Sequence, residues 1–525
     1  MKTLPFSLTL HPGVRAKIVT LSRANWEELG WHTYFAADFL EIKHFTIDSR
    51  SVKKHSAFFA YDGVNHRAID YVFSALKDSA AAVFIDRRYE AEVLAHPDYQ
   101  SGMPLLFAAD FLEAAGETIS ALCDDASRKI HLLGVTGTNG KTSIAWMFSQ
   151  LMNSLKHKSA YVGTLGCVLQ SYKKNTNLTT PDIVALHEFL RYSVQKKAAY
   201  AGIEASSHGL VQGRLKGLHW KVGIFTNLTN EHLDYHGSME NYFAAKKILF
   251  EDLLKLSKRK PGSVKGAIIC TNGSWGKKLY QWLKTENPDF PVISIDENDG
   301  DVRLVSIQSK NTGYRCVLIF AGKSYTLKTT LMGVFNIYNV ACVFMALTLF
   351  GVPAEKSIAA IAEVEPPPGR MEKITATGNR QIYIDYAHTP DALEQALKAL
   401  QAINPVRILL VFGCGGDRDR EKRPLMGKVA ALNADFSIIT NDNPRSEDPS
   451  TIFQEIKTGF SNANFVVVPD RSKAIRTALQ IMKEHEVLLI AGKGHEDYQI
   501  IKDKKTYFSD RETTEKLIRD MEWAK

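Results

Sequence analysis

Cysteine is scarce in this chain. Six of its 525 residues are cysteine, at positions 123, 167, 270, 316, 342 and 414. No two have the spacing of a zinc or redox motif, which excludes a disulfide scaffold or a cysteine-held metal and predicts free thiols in a reducing compartment. Strong charge imbalance is also missing: 65 Lys and Arg stand against 57 Asp and Glu, for a net charge of +8. The basic residues form no clustered stripe, so no nucleic-acid partner is expected, while a small anionic substrate is accommodated. Dense runs such as Lys258, Arg259 and Lys260 read as solvated surface. The N-terminus has no signal-peptide pattern. The longest apolar stretch, residues 331–352, is interrupted by Asn336, Tyr338 and Asn339. Asparagine is costly in hydrocarbon, so the stretch predicts a buried helix rather than a membrane span. A cytoplasmic protein without membrane insertion is expected.

What the chain does have is ordinary globular composition, 45% hydrophobic and 23% charged, over a length that asks for three or four domains. Its texture changes twice. Short strands and helices fill residues 1–128. From 129 to 367 strand, loop and helix alternate, which predicts a parallel sheet with right-handed crossovers. Within that part, residues 301–330 alternate with period two and read as a small antiparallel subsheet. "EVEPPPGRME" then reads as a linker, and residues 368–525 alternate strand and helix again.

The strongest local signal is "LLGVTGTNGKTSIAWMFSQL". Apolar residues end at Val135, a glycine loop follows, and Ile144, Met147, Phe148 and Leu151 mark one face of a helix. A strand, a glycine loop and a helix N-terminus make an anion site, because backbone N–H groups and the helix dipole converge on it. Gly137, Thr138, Asn139, Gly140, Lys141, Thr142 and Ser143 are thus the expected nucleotide contacts, with Lys141 on the β/γ-phosphates and Thr142 on Mg²⁺. The loop is tighter than the common P-loop, which carries a glycine where Val135 stands. Two later segments carry chemistry towards such a site. "AAYAGIEASSHGL" reads as a strand ending at Glu204, and "KVGIFTNLTNEHLDYHGSMENYFAAKK" as a strand, a loop with Glu231, His232 and Asp234, and a helix. A carboxylate and a histidine at strand ends near a phosphate loop suit a Mg²⁺ site. Singly, each is more often structural.

The set "TGTNGKT", "EASSHGL", "NEHLDYHG…AAK", "GVFNIYN", "DYAHTPDAL", "GCGGDRD", "DNPR" and "AGKGHEDY" resembles the Mur ligases, and among them those that add the third residue of the peptidoglycan stem peptide. The resemblance covers most of the chain, in order. It implies an α/β protein of three domains: 1–128 binding the UDP substrate, 129–367 a P-loop ATPase-like parallel sheet, and 368–525 a Rossmann-like domain for the incoming amino acid. The implied reaction is ATP-driven amide formation through an acyl phosphate, joining meso-diaminopimelate to the D-glutamate of UDP-N-acetylmuramoyl-L-alanyl-D-glutamate. A monomer is expected. In the family, the lysine of "AAK", here Lys246, is carbamylated by CO₂ and helps hold Mg²⁺; the adjacent Lys247 would point about 100° away around the helix. The implied metal ligands are Thr142, Glu204, His232 and carbamylated Lys246. Asn336 and Asn339 are implied at the adenine, and Arg370 and Asp385 at the nucleotide from the C-terminal side. For the UDP-muramyl dipeptide the matching positions are Ile47, Ser49, Val64, Asn65, His66, Thr179, Thr180, Ser206, Gln212 and Arg214. Two positions depart from the family pattern: "GVNHR" replaces the usual "DGH", and Leu178 stands where asparagine is frequent before the paired threonines.

In residues 368–525 four apolar strands each run into a polar loop: "IYIDYAHTP", "ILLVFGCGGDRD", "FSIITNDNPR" and "VLLIAGKGHED". In an open parallel sheet such loops gather at one edge, where ligands bind. Diaminopimelate has a far zwitterionic end that needs a cation for its carboxylate and an anion for its ammonium. Arg418 and Arg445 suit the carboxylate, and Glu496 with Gly492 suits the ammonium. By the resemblance, Asp442, Asn443, Pro444 and Arg445 form the motif that accompanies diaminopimelate. Three alternatives stand beside this reading: the same reaction with L-lysine, a folylpolyglutamate-synthase-like ligase, and a silent nucleotide-binding regulator.

Overall fold

Strands and helices alternate along nearly the whole computed structural model, which describes residues 19–63, 66–310, 313–461 and 464–523. The chain divides into two compact units, one of Met1–Leu132 and Lys158–Lys221, the other of Leu133–His157 and Val222–Lys525.

The first unit contains a four-stranded parallel sheet of His44–Thr46, Ser56–Ala60, Ala82–Asp86 and Leu105–Ala108, in that order. The sequence "SAFFA" is buried at every position, as a parallel strand covered on both faces requires. Trp26, Trp31 and Phe111 cover one face; Ile69, Phe73 and Tyr89 cover the other. A second group of strands runs Tyr172–Lys174, Gly166–Leu169, Ser159–Gly163, Tyr200–Glu204. The last two are parallel and the other pairings antiparallel.

In the second unit the strand order is His131–Thr136, Trp220–Phe225, Gly266–Cys270, Val292–Asp296, then Val302–Lys310, Gly313–Phe320 and Lys323–Thr329. The last three pair antiparallel, where the sequence alternates with period two. The apolar stretch read as a buried helix forms one at Val334–Leu349, with Asn336 and Asn339 themselves buried. Among the described residues no helix is long and apolar enough to cross a membrane. The six cysteines are free and buried.

A six-stranded sheet completes this unit. Its order is Glu372–Thr375, Gln381–Asp385, Val487–Ala491, Ile408–Phe412, Phe436–Ile439, Phe465–Val467. Only the first pairing is antiparallel. Because the other five strands run the same way, the loops after residues 385, 412, 439 and 491 lie at one edge. Leu393, Leu397, Leu410, Phe412 and Ile452 build the core on one face, and Ile384, Val411, Ile475 and Ile490 that on the other.

Candidate active site

The phosphate loop is shaped by what crowds it. Gly137 has φ +144°, and a Cβ there would meet Thr226 Oγ1 at 1.9 Å, so the position admits only glycine. Thr226 donates to Asn139 O (2.6 Å), and Asn227 Oδ1 accepts from Asn139 N (2.9 Å). The helix Lys141–Ser154 begins directly after Gly140. Asn339 Oδ1 stands 2.7 Å from the place of a Gly140 Cβ, and Asn339 donates to Asn336 Oδ1 (2.9 Å). The first helical turn after "GVF" thus packs on the loop. Thr142 and Ser143 are buried at the helix start.

Two lysine amino groups point at the same loop. Lys141 Nζ donates to Gly137 O (2.9 Å) and Thr138 O (2.7 Å). Lys246 Nζ donates to Gly137 O (2.8 Å) and lies 4.3 Å from the Tyr242 ring centroid. Lys246 is only 1% exposed. Burial, then the Lys141 charge, hold its pKa well below that of an ordinary lysine, which favours the neutral amine. Lys247 faces elsewhere, pairing with Glu251 at 3.1 Å and lying over Trp282.

Glu231 sits between two histidines, 3.8 Å from His232 Nε2 and 3.9 Å from His388 Nε2. Burial pushes its carboxyl up, but His232, Lys141, His388 and Lys246 together leave it below the usual range. Burial lowers both histidines. From the six-stranded sheet side, Arg370 Nη2 approaches Thr142 Oγ1 (3.4 Å) and lies over the Tyr386 ring. Asn139 Nδ2 donates to Asp391 Oδ2 (2.9 Å), and Asp391 lies in the first turn of Pro390–Gln401. Asp385 accepts from Met371 N (2.7 Å) and Ala387 N (2.8 Å). Its carboxylate thereby shapes the turn beside Arg370.

The sheet edge brings opposite charges together. Arg445 has φ +52° and donates through Nη1 to Gly416 O (2.7 Å). Arg418 is near enough that Arg445, after burial, lowers its pKa. Across the edge, a Cβ on Gly492 would meet Asp442 Oδ2 at 2.7 Å. Glu496 Oε2 accepts from Asn443 Nδ2 (2.9 Å) and Lys493 Nζ (3.0 Å), while Glu496 Oε1 faces Tyr498 OH at 3.3 Å. Lys493 is wholly buried. Ile500 N donates to Asn443 Oδ1 (3.0 Å) and Gln499 Nε2 to Asp442 O (2.8 Å), so the loops carrying Asp442 and Glu496 are stitched together. Pro444 is buried between Asn443 and Arg445.

In the first unit Glu204 ends its strand fully buried. Its Oε1 accepts from Tyr161 OH (2.5 Å) and Thr164 N (2.9 Å), and its Oε2 from Thr164 Oγ1 (3.2 Å). Thr180 Oγ1 donates to Glu204 O (2.7 Å) and shares a hydrogen bond with Ser206 Oγ (2.8 Å). Arg214 Nη1 donates to Thr180 O (2.9 Å), and Arg214 bonds Gln212 Oε1. Thr179 lies 3.3 Å from Thr164 Oγ1. Thr179, Thr180, Ser206, Gln212 and Arg214 are therefore one cluster around the end of the Glu204 strand. Ile47 and Ser49 follow His44–Thr46, and exposed His66 follows the neighbouring Ser56–Ala60, on the other sheet of this unit. Val64 and Asn65 lie outside the described residues.

Sequence reasoning did not assign Tyr161, Thr164, Asp391, His388 or Lys493. Asp391 and His388 stand inside "DYAHTPDAL", and Lys493 inside "AGKGHEDY", where a charged or imidazole side chain in a recurring loop was the available signal. Tyr161 carries none. It meets Glu204 only because the register pairs Gly202 with Tyr161, which puts Tyr161 and Glu204 on one face.

A family profile for the Mur ligase middle domain matches residues 135–347, and one for the Mur ligase glutamate ligase domain matches residues 369–494. A UDP-N-acetylmuramoyl-L-alanyl-D-glutamate–2,6-diaminopimelate ligase of Coxiella burnetii is 38% identical over 91% of this chain and 96% of its own. A solved structure of a ligase with the same description superposes with a TM-score of 0.67 at 30% identity, covering 92% of this chain and 96% of that one. A MurF ligase of Thermotoga maritima, solved with ADP, has a TM-score of 0.58 at 16% identity over 91% of this chain and 98% of its own, a likeness of fold. The chain belongs to the Mur ligase family.

Proposed function

We propose that this chain is an ATP-dependent ligase that joins meso-diaminopimelate to the D-glutamate side-chain carboxylate of UDP-N-acetylmuramoyl-L-alanyl-D-glutamate. The observation that carries the reading is the charge pattern at the edge of the six-stranded sheet. Arg418 and Arg445 flank Gly415, while Asp442, on the same loop as Arg445, and Glu496 lie on two loops stitched to each other. A free zwitterion needs that pairing of cations with anions. A lysine side chain has no far carboxylate to use the arginines.

The chemistry divides into two steps. A carboxylate oxygen of the D-glutamate attacks the γ-phosphorus and the bond to ADP breaks, giving an acyl phosphate. The amine of diaminopimelate then attacks the acyl carbon, the C–O bond to phosphate breaks, and the amine proton is lost. Two anions meet in the first step. Lys141, the N-terminus of its helix and Arg370 supply positive potential there. Asn336 and Asn339 are proposed at the adenine, and Asp385 holds the turn that presents Arg370. Thr179, Thr180, Ser206, Gln212 and Arg214 are proposed to receive the dipeptide end of the nucleotide sugar, and Ile47, Ser49, Val64, Asn65 and His66 its uridine end.

Mg²⁺ fits these residues as an ion held mainly by phosphate oxygens. Among the described residues no three His, Cys, Asp or Glu side chains converge as a ready metal site, and Mg²⁺ in nucleotide sites takes few protein ligands. Thr142, Glu204 and His232 would hold one such ion, and carbamylated Lys246 would share a second. For Lys246 the neutral amine adds CO₂ and releases a proton, becoming a carbamate. Bound there, the ion neutralises charge on the transferred phosphoryl group. We further propose the division into 1–128, 129–367 and 368–525 as substrate, nucleotide and amino-acid domains, and a cytoplasmic monomer.

The test is a ligation assay with the nucleotide dipeptide, ATP and Mg²⁺, comparing meso-diaminopimelate with L-lysine by mass of the product and by phosphate release. One phosphate per new amide with diaminopimelate is expected. Product with lysine alone would overturn the substrate, and ATP turnover without an amide would overturn the reaction.

A further inference from the structure

Two charged groups with no place in the chemistry above are completely buried behind the sheet edge. Arg471 and Asp510 have side chains 0% exposed. Arg471 Nε and Nη2 donate to Asp510 Oδ1 (2.7 Å) and Oδ2 (2.8 Å), a two-pronged pairing. The guanidinium has hydrogens left over, and they go to two particular carbonyls. Nη2 also donates to Ala491 O (2.8 Å), and Nη1 to Asn441 O (3.3 Å). Ala491 immediately precedes Gly492, and Asn441 immediately precedes Asp442. One side chain therefore grips the last carbonyl of the strand before the Glu496 loop and the carbonyl just ahead of Asp442 in the neighbouring loop.

Stability alone is a poor reason for this arrangement. Desolvating two charges offsets most of their attraction, and well-packed apolar residues often serve as well. Arg471 moreover opens the helix Arg471–Ile481, where the helix dipole disfavours a cation. What the guanidinium supplies is geometry. It fixes the spacing of two loops so close that a Cβ on Gly492 would collide with Asp442 Oδ2, and a planar fork held by a buried carboxylate can do this where a lysine cannot.

We propose that Arg471, oriented by Asp510, is a positioning residue for the amino-acid subsite, setting the distance between the Asp442 and Glu496 loops to fit the far ammonium of the incoming amino acid. The inference rests on the ligase reading above. Displacing such a group by about an ångström is enough to lose a large part of its effect.

The experiment measures KM for all three substrates and the melting temperature in the full chain, for the wild type, Arg471→Lys, Arg471→Met and Asp510→Asn. Ligation by the wild type establishes the reading on which the inference stands; without it both fall. Given that activity, KM for diaminopimelate should rise about tenfold or more in Arg471→Met, about the loss of one charge-assisted bond. KM for ATP and for the nucleotide sugar should stay within about twofold. Arg471→Lys, which keeps the charge without the fork, should recover little. If Arg471→Met does not fold, Asp510→Asn decides by the same selective rise in KM. Equal changes in all three KM values, or an unchanged KM for diaminopimelate in a folded variant, would overturn the proposal.

Discussion

Around the phosphate loop, Lys141 and Lys246 point their amino groups at backbone carbonyls, whereas at the edge of the six-stranded sheet Arg423 and Lys493 are tied to carboxylates. The first arrangement leaves positive potential and a buried amine whose charge is disfavoured, which on the proposed reading an anionic nucleotide answers. The second has Arg423 and Lys493 paired with carboxylates before any ligand arrives, which leaves Arg418 and Arg445, donating to backbone carbonyls, as the cations turned to a ligand. Asn443 and Lys493 occupy one oxygen of Glu496, so its orientation is set in advance. On the proposed reading, one region gains from charge brought by its ligand, and the other measures the shape of a zwitterion.

The sharpest way to break this comparison is at the adjacent lysines. Lys246→Ala should lower kcat by about 10²–10³-fold, as for the loss of a preorganised electrostatic group. Lys247→Ala removes one surface pair of about 0–1 kcal/mol and should leave steady-state rates within about twofold. Equal losses in the two would mean that burial of Lys246 has no chemical consequence.

Next in size is Arg445→Ala. Losing charge-assisted hydrogen bonds of about 1.5–3 kcal/mol should raise KM for diaminopimelate about tenfold to hundredfold. Calorimetric affinity for the nucleotide sugar should not change. An equal weakening of both would show that the edge does not act separately from the rest.

These two regions also differ in how far they could be read from sequence. The glycine loop, the strands ending at Glu204 and Ile439, and the helix over the apolar stretch all follow from local pattern, since periodicity and turn chemistry operate within a few residues. So does the gathering of four loops, once four apolar strands are read as parallel. What local pattern does not carry is pairing across distance. Arg471 and Asp510 are separate polar residues in sequence, and their mutual burial depends on how two helices start beneath one sheet. The Tyr161 hydroxyl reaches Glu204 only through strand register. The discontinuous make-up of the first unit, which takes in Lys158–Lys221, likewise arises from packing.

A smaller effect should sharpen the link between the phosphate loop and the six-stranded sheet. Asp391→Ala leaves Asn139 Nδ2 without its carboxylate and should raise KM for ATP about threefold to tenfold, the range for one ordinary hydrogen bond of about 0.5–1.5 kcal/mol. KM for diaminopimelate should hold steady, and a change there instead would assign Asp391 to the other region.

Acid should act on stability rather than on catalysis, and it separates the two units by pH window. Burial holds His187, in the first unit, at about 4 against an ordinary 6.5. A depressed histidine means that the unfolded chain takes up the proton first, so this unit loses stability as pH falls from about 6.5 towards 4. Glu447 is held at about 2, first by its hydrogen bond with Arg423, against an ordinary 4.5. Its contribution is complete above the ordinary value and disappears as pH falls from there towards 2. Thermal melts across these ranges should show Glu447→Gln flattening only the lower window. Flattening of the upper one would contradict the assignment.

The left-handed backbone of Arg445, φ +52°, limits how a specificity change could arise. Most L-residues pay roughly 1–2 kcal/mol to sit there, while glycine and asparagine adopt it readily. A lineage giving up the arginine therefore has few inexpensive first steps, and β-branched replacements lie furthest from its path. Selection experiments for a new third residue should accordingly recover Asn or Gly at 445 well before Val or Ile.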